Sequence, residues 1–508
     1  MNAISADLFV GIDIGTFETK GVVVDSQGGV VARARRPHKM STPVPGHAEH
    51  DAETVWWQGF AEVSLALMAE EAVDPARIRA VGASAIGPCV LACDTELNPL
   101  RPGILYGVDA RATEQIAELN ARLGEEEIVA RTGNLLTSQS AGPKILWLKQ
   151  NEPAVHDGAA YFMTSQSFVV ARLTGRVVMD HGTAGYFHPL YNLESKRWDV
   201  SGCEDFISTD RLPELGWATD IAGTVTEAAA LATGIPSGTP VIFGTTDAPA
   251  EAISSSVVNP GDMMLMYGSS TYMIEMLDAP VVSDILWSAP FVFEDTYVLA
   301  AGTATAGTLT HWLCDVLGLA DAADSPAEMF GLLVDLASRS VPGANGLLFL
   351  PYFSGERTPH HDPDARGIIA GLTLKHTRAD IARAMMEGIG HSIADALKAY
   401  ADAGYLPRRI LAVGGGTKND FFLQSVSDLA DMEQTVAVTD GAAFGDAALA
   451  AYGTGYLSTR QDIAAWCRTG RTVSPEPLSQ KQLLADHPDF QELYRQTQNL
   501  IHSRATRE

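Results

Sequence analysis

The apolar run Phe9-Val10-Gly11-Ile12 ends in Asp13-Ile14-Gly15-Thr16. After a short polar turn closed by Lys20, a second apolar run follows, Gly21-Val22-Val23-Val24. Two strand-like runs this close together fold back as an antiparallel hairpin. Its turn gathers a carboxylate, a glycine and a hydroxyl beside exposed backbone N–H groups. Such a turn can cradle a phosphate, and the carboxylate can hold Mg²⁺ through water. The pattern points to a nucleotide-dependent phosphotransferase or ATPase.

About 250 residues later the pattern returns in Met264-Leu265-Met266-Tyr267-Gly268-Ser269-Ser270-Thr271-Tyr272-Met273-Ile274. An apolar strand again runs into glycine and hydroxyls, then into another apolar strand. Two such hairpins predict two similar domains facing each other across a cleft, where ligand sites often lie. Asn259-Pro260-Gly261-Asp262 is a strong turn signal near the expected boundary, and we divide the chain into residues 1–252 and 253–508. With 508 residues the chain is too long for a single core.

Strand-like runs alternate with helical patterns throughout, which predicts an α/β fold. Strands are expected at Arg79–Ser84, Val241–Gly244 and Ile410–Gly414. Ile381, Met385, Ile389, Ile393 and Leu397 recur every four residues and predict a helix. Thr377 and Asp380 stand as a capping box at its start. The polar stretch from Ser474 finishes in an amphipathic helix carrying Phe490, Leu493, Tyr494, Leu500 and Ile501. That face either packs on the body or joins a homodimer.

A net charge of −27 argues against broad nucleic-acid binding, which needs a basic footprint. Five scattered cysteines form neither a disulfide framework nor a zinc pattern and are expected to be buried structural thiols. No signal peptide or membrane span is expected, and a cytoplasmic location fits.

Asp247 follows the Val241–Phe243 run within Gly244-Thr245-Thr246-Asp247-Ala248. At the exit of a buried strand it can act as general base on a substrate hydroxyl, or it can cap the following helix. Its place just before the second hairpin favours catalysis. Gly414, Gly415 and Gly416 follow another strand and precede Asn419 and a helix. Three glycines let a ligand approach the backbone, and the helix start favours anions. This is neither the Walker A pattern nor the dinucleotide fingerprint. Asp109 and Arg111 stand two apart and either bind the hydroxyls of a polyol or form an ion pair of little worth. In the loop Gly355–Pro363, Glu356 and Arg357 are read as structural hydrogen-bonding groups, and the adjacent His360 and His361 carry little weight as metal ligands.

Read together, these motifs resemble the FGGY carbohydrate kinases, from about residue 8 to 455. Gly367-Ile368-Ile369-Ala370-Gly371-Leu372, followed seven residues later by Asp380–Glu387, is similar to the family's C-terminal signature. Lys144-Ile145-Leu146-Trp147-Leu148-Lys149-Gln150-Asn151 fits the upstream signature, although Gln139 and Ala141 depart from it. The resemblance implies two ribonuclease-H-like domains, of the actin and hexokinase type, around an ATP cleft. It implies Mg-ATP as phosphate donor and a sugar or polyol as acceptor. Asp247 would be the catalytic base and touch the sugar, and Asp13 and Asp247 would place Mg²⁺. Thr16, Lys20, Gly268, Ser269 and Ser270 would serve the phosphates. Gly414, Gly415, Gly416 and Asn419 would border the adenosine, and Asp109 and Arg111 would lie at the sugar.

Xylulokinase-like members resemble the chain most, but they usually carry Met-His where this chain has Ile86-Gly87-Pro88. They also commonly carry a Trp before the Asp-x-Arg element, and Tyr106-Gly107-Val108 fill that stretch here. Both departures fall on the sugar side. The expected activity is therefore ATP-dependent phosphorylation of an open-chain ketose or polyol, xylulose and ribulose first. Two rivals are an actin-like or chaperone-type ATPase and a degenerate sugar-sensing homologue without phosphotransfer.

Overall fold

The computed structural model of the protein describes residues 7–505. Its chain divides into two compact units. The first comprises Met1–Pro260, Met276–Leu299 and Thr439–Arg468, and the second Gly261–Glu275, Ala300–Val438 and Thr469–Glu508. The chain thus passes from the first unit to the second at the Asn259–Asp262 turn and later returns twice.

The first unit is built on a seven-stranded sheet. Its strands lie in the order Ile221–Thr224, Pro240–Ile242, Ile78–Ala85, Leu8–Ile14, Glu18–Asp25, Val30–Pro37, and Thr245–Thr246 also pairs with Ile78–Ala85. Leu8–Ile14 is buried along its whole length, as a central strand covered on both faces must be, and its apolar run has no alternation. It pairs antiparallel with Glu18–Asp25 and parallel with Ile78–Ala85. Outward, Val30–Pro37 has one buried residue, Ala32, and then alternates exposed and half-buried ones, as fits the sheet's margin.

A second seven-stranded sheet repeats this plan. Its central order is Tyr297–Thr303, Thr271–Leu277, Asp262–Tyr267, Arg409–Val413, Gln434–Val438. Asp262–Tyr267 pairs antiparallel with Thr271–Leu277 and parallel with Arg409–Val413. The three strands foreseen outside the hairpins appear as Ile78–Ala85, Pro240–Ile242 and Arg409–Val413.

The helix Arg378–Asp402 starts with the capping box of Thr377 and Asp380. Met385, Ile389, Ile393 and Leu397 are buried along it. The C-terminal helix Pro477–Ala505 seats Phe490, fully buried, against Leu350, Tyr352 and Ala365, with Leu493 and Tyr494 alongside. Leu500 departs from the expected packing face and is 62% exposed. Four cysteines are buried and all five are free thiols. Among the described residues no helix is long and apolar enough to cross a membrane.

Candidate active site

Three parallel strand ends bring the acids of the first unit together. In the sheet register Asp13 lies beside Ser84, and Thr245-Thr246 lie beside Ser84-Ala85. Asp247 directly follows Thr246 and opens the helix Asp247–Ser254. Ligands of open α/β sheets bind beyond such carboxyl ends. Gly244 makes the sharp exit possible. Its φ is +70°, and a Cβ there would lie 2.0 Å from the carbonyl oxygen of Ala83.

Burial raises the Asp13 carboxyl well above its ordinary range, and the charges of Asp247 and Glu251 push it further. Asp247 is raised to about 6, mainly by burial and then by Glu251. Glu251 lies one helical turn after Asp247 and is itself raised by burial. Lys20, opposite Asp13 across the hairpin, is exposed and favours ionised Asp13 and Glu251.

A fourth acid comes from far along the chain. Ser84 Oγ lies 3.2 Å from Asp13 Oδ1 and 2.7 Å from Asp446 Oδ2. A hydroxyl has one proton, so it cannot donate to both carboxylates. Burial raises Asp446 well above the carboxylate range, with Asp13 adding to the effect. A protonated Asp446 that donates to Ser84, which in turn donates to Asp13, satisfies both bonds. Asp446 reaches this position because its helix, Ala442–Gly453, packs directly on the sheet. A Cβ on Gly11 would fall 1.9 Å from the carbonyl oxygen of Ala443, and one on Gly82 2.2 Å from that of Asp446.

Ser84, Glu251 and Asp446 were not foreseen as site residues. Glu251 carries a legible signal, an acid four residues after Asp247. Asp446 is the single charged residue of the Ala/Gly-rich run Gly441–Ala451, a weak hint that something polar sits inside.

The hairpin turn between Asp13 and Lys20 is closed by Gly15 N–H donating to the Glu18 carbonyl at 3.0 Å. Thr16 sits half-buried in it. Asp109 and Arg111 lie on the same unit, deeply buried. Asp109 accepts from the Ala48 N–H at 2.6 Å and from Arg111. Arg111 also bonds Glu49 at 2.8 Å and stacks 4.9 Å from the ring of Trp147. Its Nη1 is buried without a hydrogen-bond partner. Asp109 is thus saturated by protein donors, and Arg111 Nη1 is the atom of the pair with spare capacity. Beside Asp247, a Cβ on Gly87 would meet Thr246 Cγ2 at 2.5 Å, so the Ile86-Gly87-Pro88 loop closes on the strand end.

The second unit carries a different kind of site. A cavity of about 720 Å³ is lined by Tyr267, Gly268 and Ser269 from the second hairpin and by Gly415, Gly416, Lys418 and Asn419 from the glycine loop. Thr310, His311, Phe330 and Val334 form further wall. The walls were not foreseen, because they come from the helices Gly307–Val316 and Pro326–Ala337. Gly414 lies behind the lining with φ +92°, and a Cβ there would meet the Tyr267 carbonyl oxygen at 2.6 Å. Gly415 would meet nothing within 4 Å and faces open space. Asn419 caps the helix Asp420–Ala430 through the Phe421 N–H. Ser270 is not part of the lining. An apolar cleft of this size with a few polar groups suits a nucleoside.

Glu356 takes hydrogen bonds from the Ala304 and Arg357 N–H groups and from Ser392, each at 2.7 or 2.8 Å. It is a structural group, raised to about 7 by burial. His360 stacks on Tyr494, with ring centres 4.1 Å apart. Among the described residues no group of three or more His, Cys, Asp or Glu is arranged to hold a metal ion by itself.

Residues 8–254 match the N-terminal domain of the FGGY family of carbohydrate kinases, and residues 263–454 match its C-terminal domain. The chain is 28% identical to a xylulose kinase of Staphylococcus epidermidis over 97% of its length and 98% of the relative's. It is 31% identical to a glycerol kinase of Nocardia farcinica over 89% and 91%. The crystal structure of a xylulose kinase from Rhodospirillum rubrum superposes with a TM-score of 0.90 at 30% identity, covering 97% of this chain and all of that one.

Proposed function

The chain belongs to the FGGY family of carbohydrate kinases, and we propose that it transfers the γ-phosphate of ATP to a hydroxyl of an open-chain pentulose, xylulose or ribulose. It is a sugar phosphotransferase with two ribonuclease-H-like domains. The observation that carries the chemistry is the pair Asp13 and Asp247 at neighbouring strand ends, with Glu251 one helical turn beyond Asp247. The assembly-ATPase and sensor readings are not favoured, since the relatives are sugar and glycerol kinases along nearly their whole length.

Asp247 is the base. Its carboxyl, raised to about 6, is ionised at neutral pH yet basic enough to take a hydroxyl proton as the oxygen attacks phosphorus. Thr16 and the N–H groups of its turn hold phosphate oxygens, with Lys20 adding positive charge. Arg111 Nη1 donates to a sugar hydroxyl. In the second unit the cavity holds adenosine, with Ser269, Gly415 and Gly416 along it. We place the sugar side on the first unit and the ATP side on the second.

Mg²⁺ fits the first unit's acids. Asp13 and Asp247 are hard oxygen donors driven toward protonation by burial and by neighbouring acids, and a cation relieves that repulsion. One or two carboxylates with phosphate oxygens are the usual Mg²⁺ set. When bound, the ion neutralises charge on the phosphates.

Pentulose rather than glycerol is supported by the number of xylulose kinases among the relatives. The Ile86–Pro88 loop leaves room for another ketose or polyol. Free thiols favour a reducing cytoplasm. The test is coupled ADP release with Mg-ATP against xylulose, ribulose, other ketoses, pentitols and glycerol. Saturable ADP release with a pentulose is expected, and preference for glycerol or a pentitol would overturn the substrate assignment.

A further inference from the structure

The phosphate turn of the first unit is held from behind by two histidines. His38 Nε2 lies 3.0 Å from the carbonyl oxygen of Gly15, and His50 Nε2 lies 3.1 Å from that of Thr16. The rings meet edge to face with centres 5.2 Å apart. Trp56 Nε1 can only donate, and it lies 3.1 Å from His50 Nδ1. His50 Nδ1 is therefore the acceptor, and the neutral ring carries its proton on Nε2, facing Thr16. Burial, with His38 alongside, lowers His50 to about 4 and keeps it neutral.

Each peptide unit is planar and trans, so a carbonyl and the N–H of the next residue point opposite ways. Drawing the Gly15 and Thr16 carbonyls toward the histidines aims the N–H groups of Thr16 and Phe17 away from them. His50 also sits in a chemically busy segment. The Ala48 N–H bonds Asp109, and Glu49 bonds Arg111 at 2.8 Å and Arg101 at 2.5 Å. Three consecutive residues tie the Asp109–Arg111 pair to the phosphate turn.

We propose that His50, assisted by His38, is a positioning residue for phosphoryl transfer: it aims the turn's N–H groups at the transferred phosphate, and the Ala48–His50 segment fixes that aim to the Asp109–Arg111 pair. The inference rests on the kinase reading above. It needs a ring or amide that donates to the Thr16 carbonyl. Glutamine supplies that donor, its amide nitrogen standing where Nε2 stands, whereas phenylalanine fills the space without it.

The experiment compares His50→Phe and His50→Gln with wild type by steady-state kinetics, ATP binding calorimetry and thermal melting. In His50→Phe, kcat should fall by up to about 100-fold, the scale of an ångström's misplacement of a catalytic group. KM for the sugar and the affinity for ATP, whose base and ribose are held by the second unit, should change less than about threefold, because the groups that bind the sugar and the nucleoside are untouched. His50→Gln should recover most of kcat. Wild-type kcat in folded His50→Phe overturns the inference, as does an equal loss in both variants that follows their melting temperatures. If His50→Phe does not fold, His38→Phe against His38→Gln makes the same comparison at a half-buried, more tolerant position. Wild-type protein that releases no ADP with any sugar or polyol overturns the kinase reading and this inference with it. Turnover indifferent to the histidines overturns the inference alone.

Discussion

The two hairpin turns share a backbone plan and differ in chemistry. In each, an apolar strand reaches a glycine, Gly15 or Gly268, turns through hydroxyl-bearing residues and returns antiparallel. Two residues before that glycine the first has Asp13 and the second Met266. Two residues earlier still, the first has Gly11 beneath a helix and the second has buried Met264. Both turns have backbone bonds, but the carbonyls of Gly15 and Thr16 in the first face histidine rings, whereas in the second the Ser269 carbonyl also accepts from the Thr308 hydroxyl at 3.0 Å. In the second, the N–H groups of Ala306 and Gly307 donate to the Ser269 and Gly268 carbonyls at 2.9 and 3.0 Å. One turn therefore lies beside crowded acids, while the other supplies an uncharged wall to a cavity. A repeated fold element is reused with different side chains beside it.

The sharpest way to break the comparison is to neutralise the charged side. Asp247→Asn should lose about 10²–10⁴-fold in kcat while ATP binding by calorimetry stays near wild type. Near-native turnover would remove Asp247 as base. Gly11→Ala comes next in size, because its Cβ would run into the Ala443 carbonyl oxygen. It should cost about 1–3 kcal/mol in denaturant unfolding, the usual range for overpacking. An unchanged midpoint would mean that the Ala442–Gly453 helix yields easily.

On the uncharged side, Gly415→Val projects into open space rather than into backbone. It should raise KM for ATP about tenfold, equivalent to about 1.4 kcal/mol of lost binding, and leave melting and sugar KM alone. A raised sugar KM instead would contradict the division of labour. The smallest effect concerns pH. Asp247, held at about 6 by burial and secondarily by Glu251, should give kcat/KM an acid limb near that value. Below it the base is protonated and activity falls. Glu251→Gln removes a negative charge, so the limb should move to lower pH by up to about one unit. ATP affinity for the second unit should stay flat across the same window. A limb that does not move, or moves upward, would show that Glu251 does not act on Asp247.

Most of the repeated strands were legible because each is a short apolar run bounded by glycine or a turn signal. The two hairpins, the strand ahead of Asp247 and the capping box at Thr377 follow from local sequence. The placement of candidate residues was legible where they lie at the end of such a run, as with Asp13, Asp247 and Gly415. It was not legible at Ser84 or Asp446, whose partners are far away in the chain, nor in the contact of His50 with Thr16, 34 positions back. Glu251 had a local signal, four residues after Asp247, yet was not foreseen. The family resemblance put Asp109 at the sugar, while its spacing to Arg111 also allowed an ion pair; in the structure its acceptors are filled by Ala48 and Arg111. Leu500 fitted an apolar stripe and is exposed, because the helix's contact with its unit centres on Phe490.

The sequence by itself determined that this chain makes two α/β units with a glycine-bearing hairpin in each, since periodicity and turn residues act over a few positions. Only the tertiary structure decided that residues 439–468 return to the first unit. The reason is steric and local to three glycines. Gly11 and Gly82 bare the sheet, and Gly445 bares the helix, where a Cβ would lie 1.9 Å from the Ala250 carbonyl oxygen. That contact carries Asp446 to Ser84, a pairing across 362 positions that no local pattern encodes.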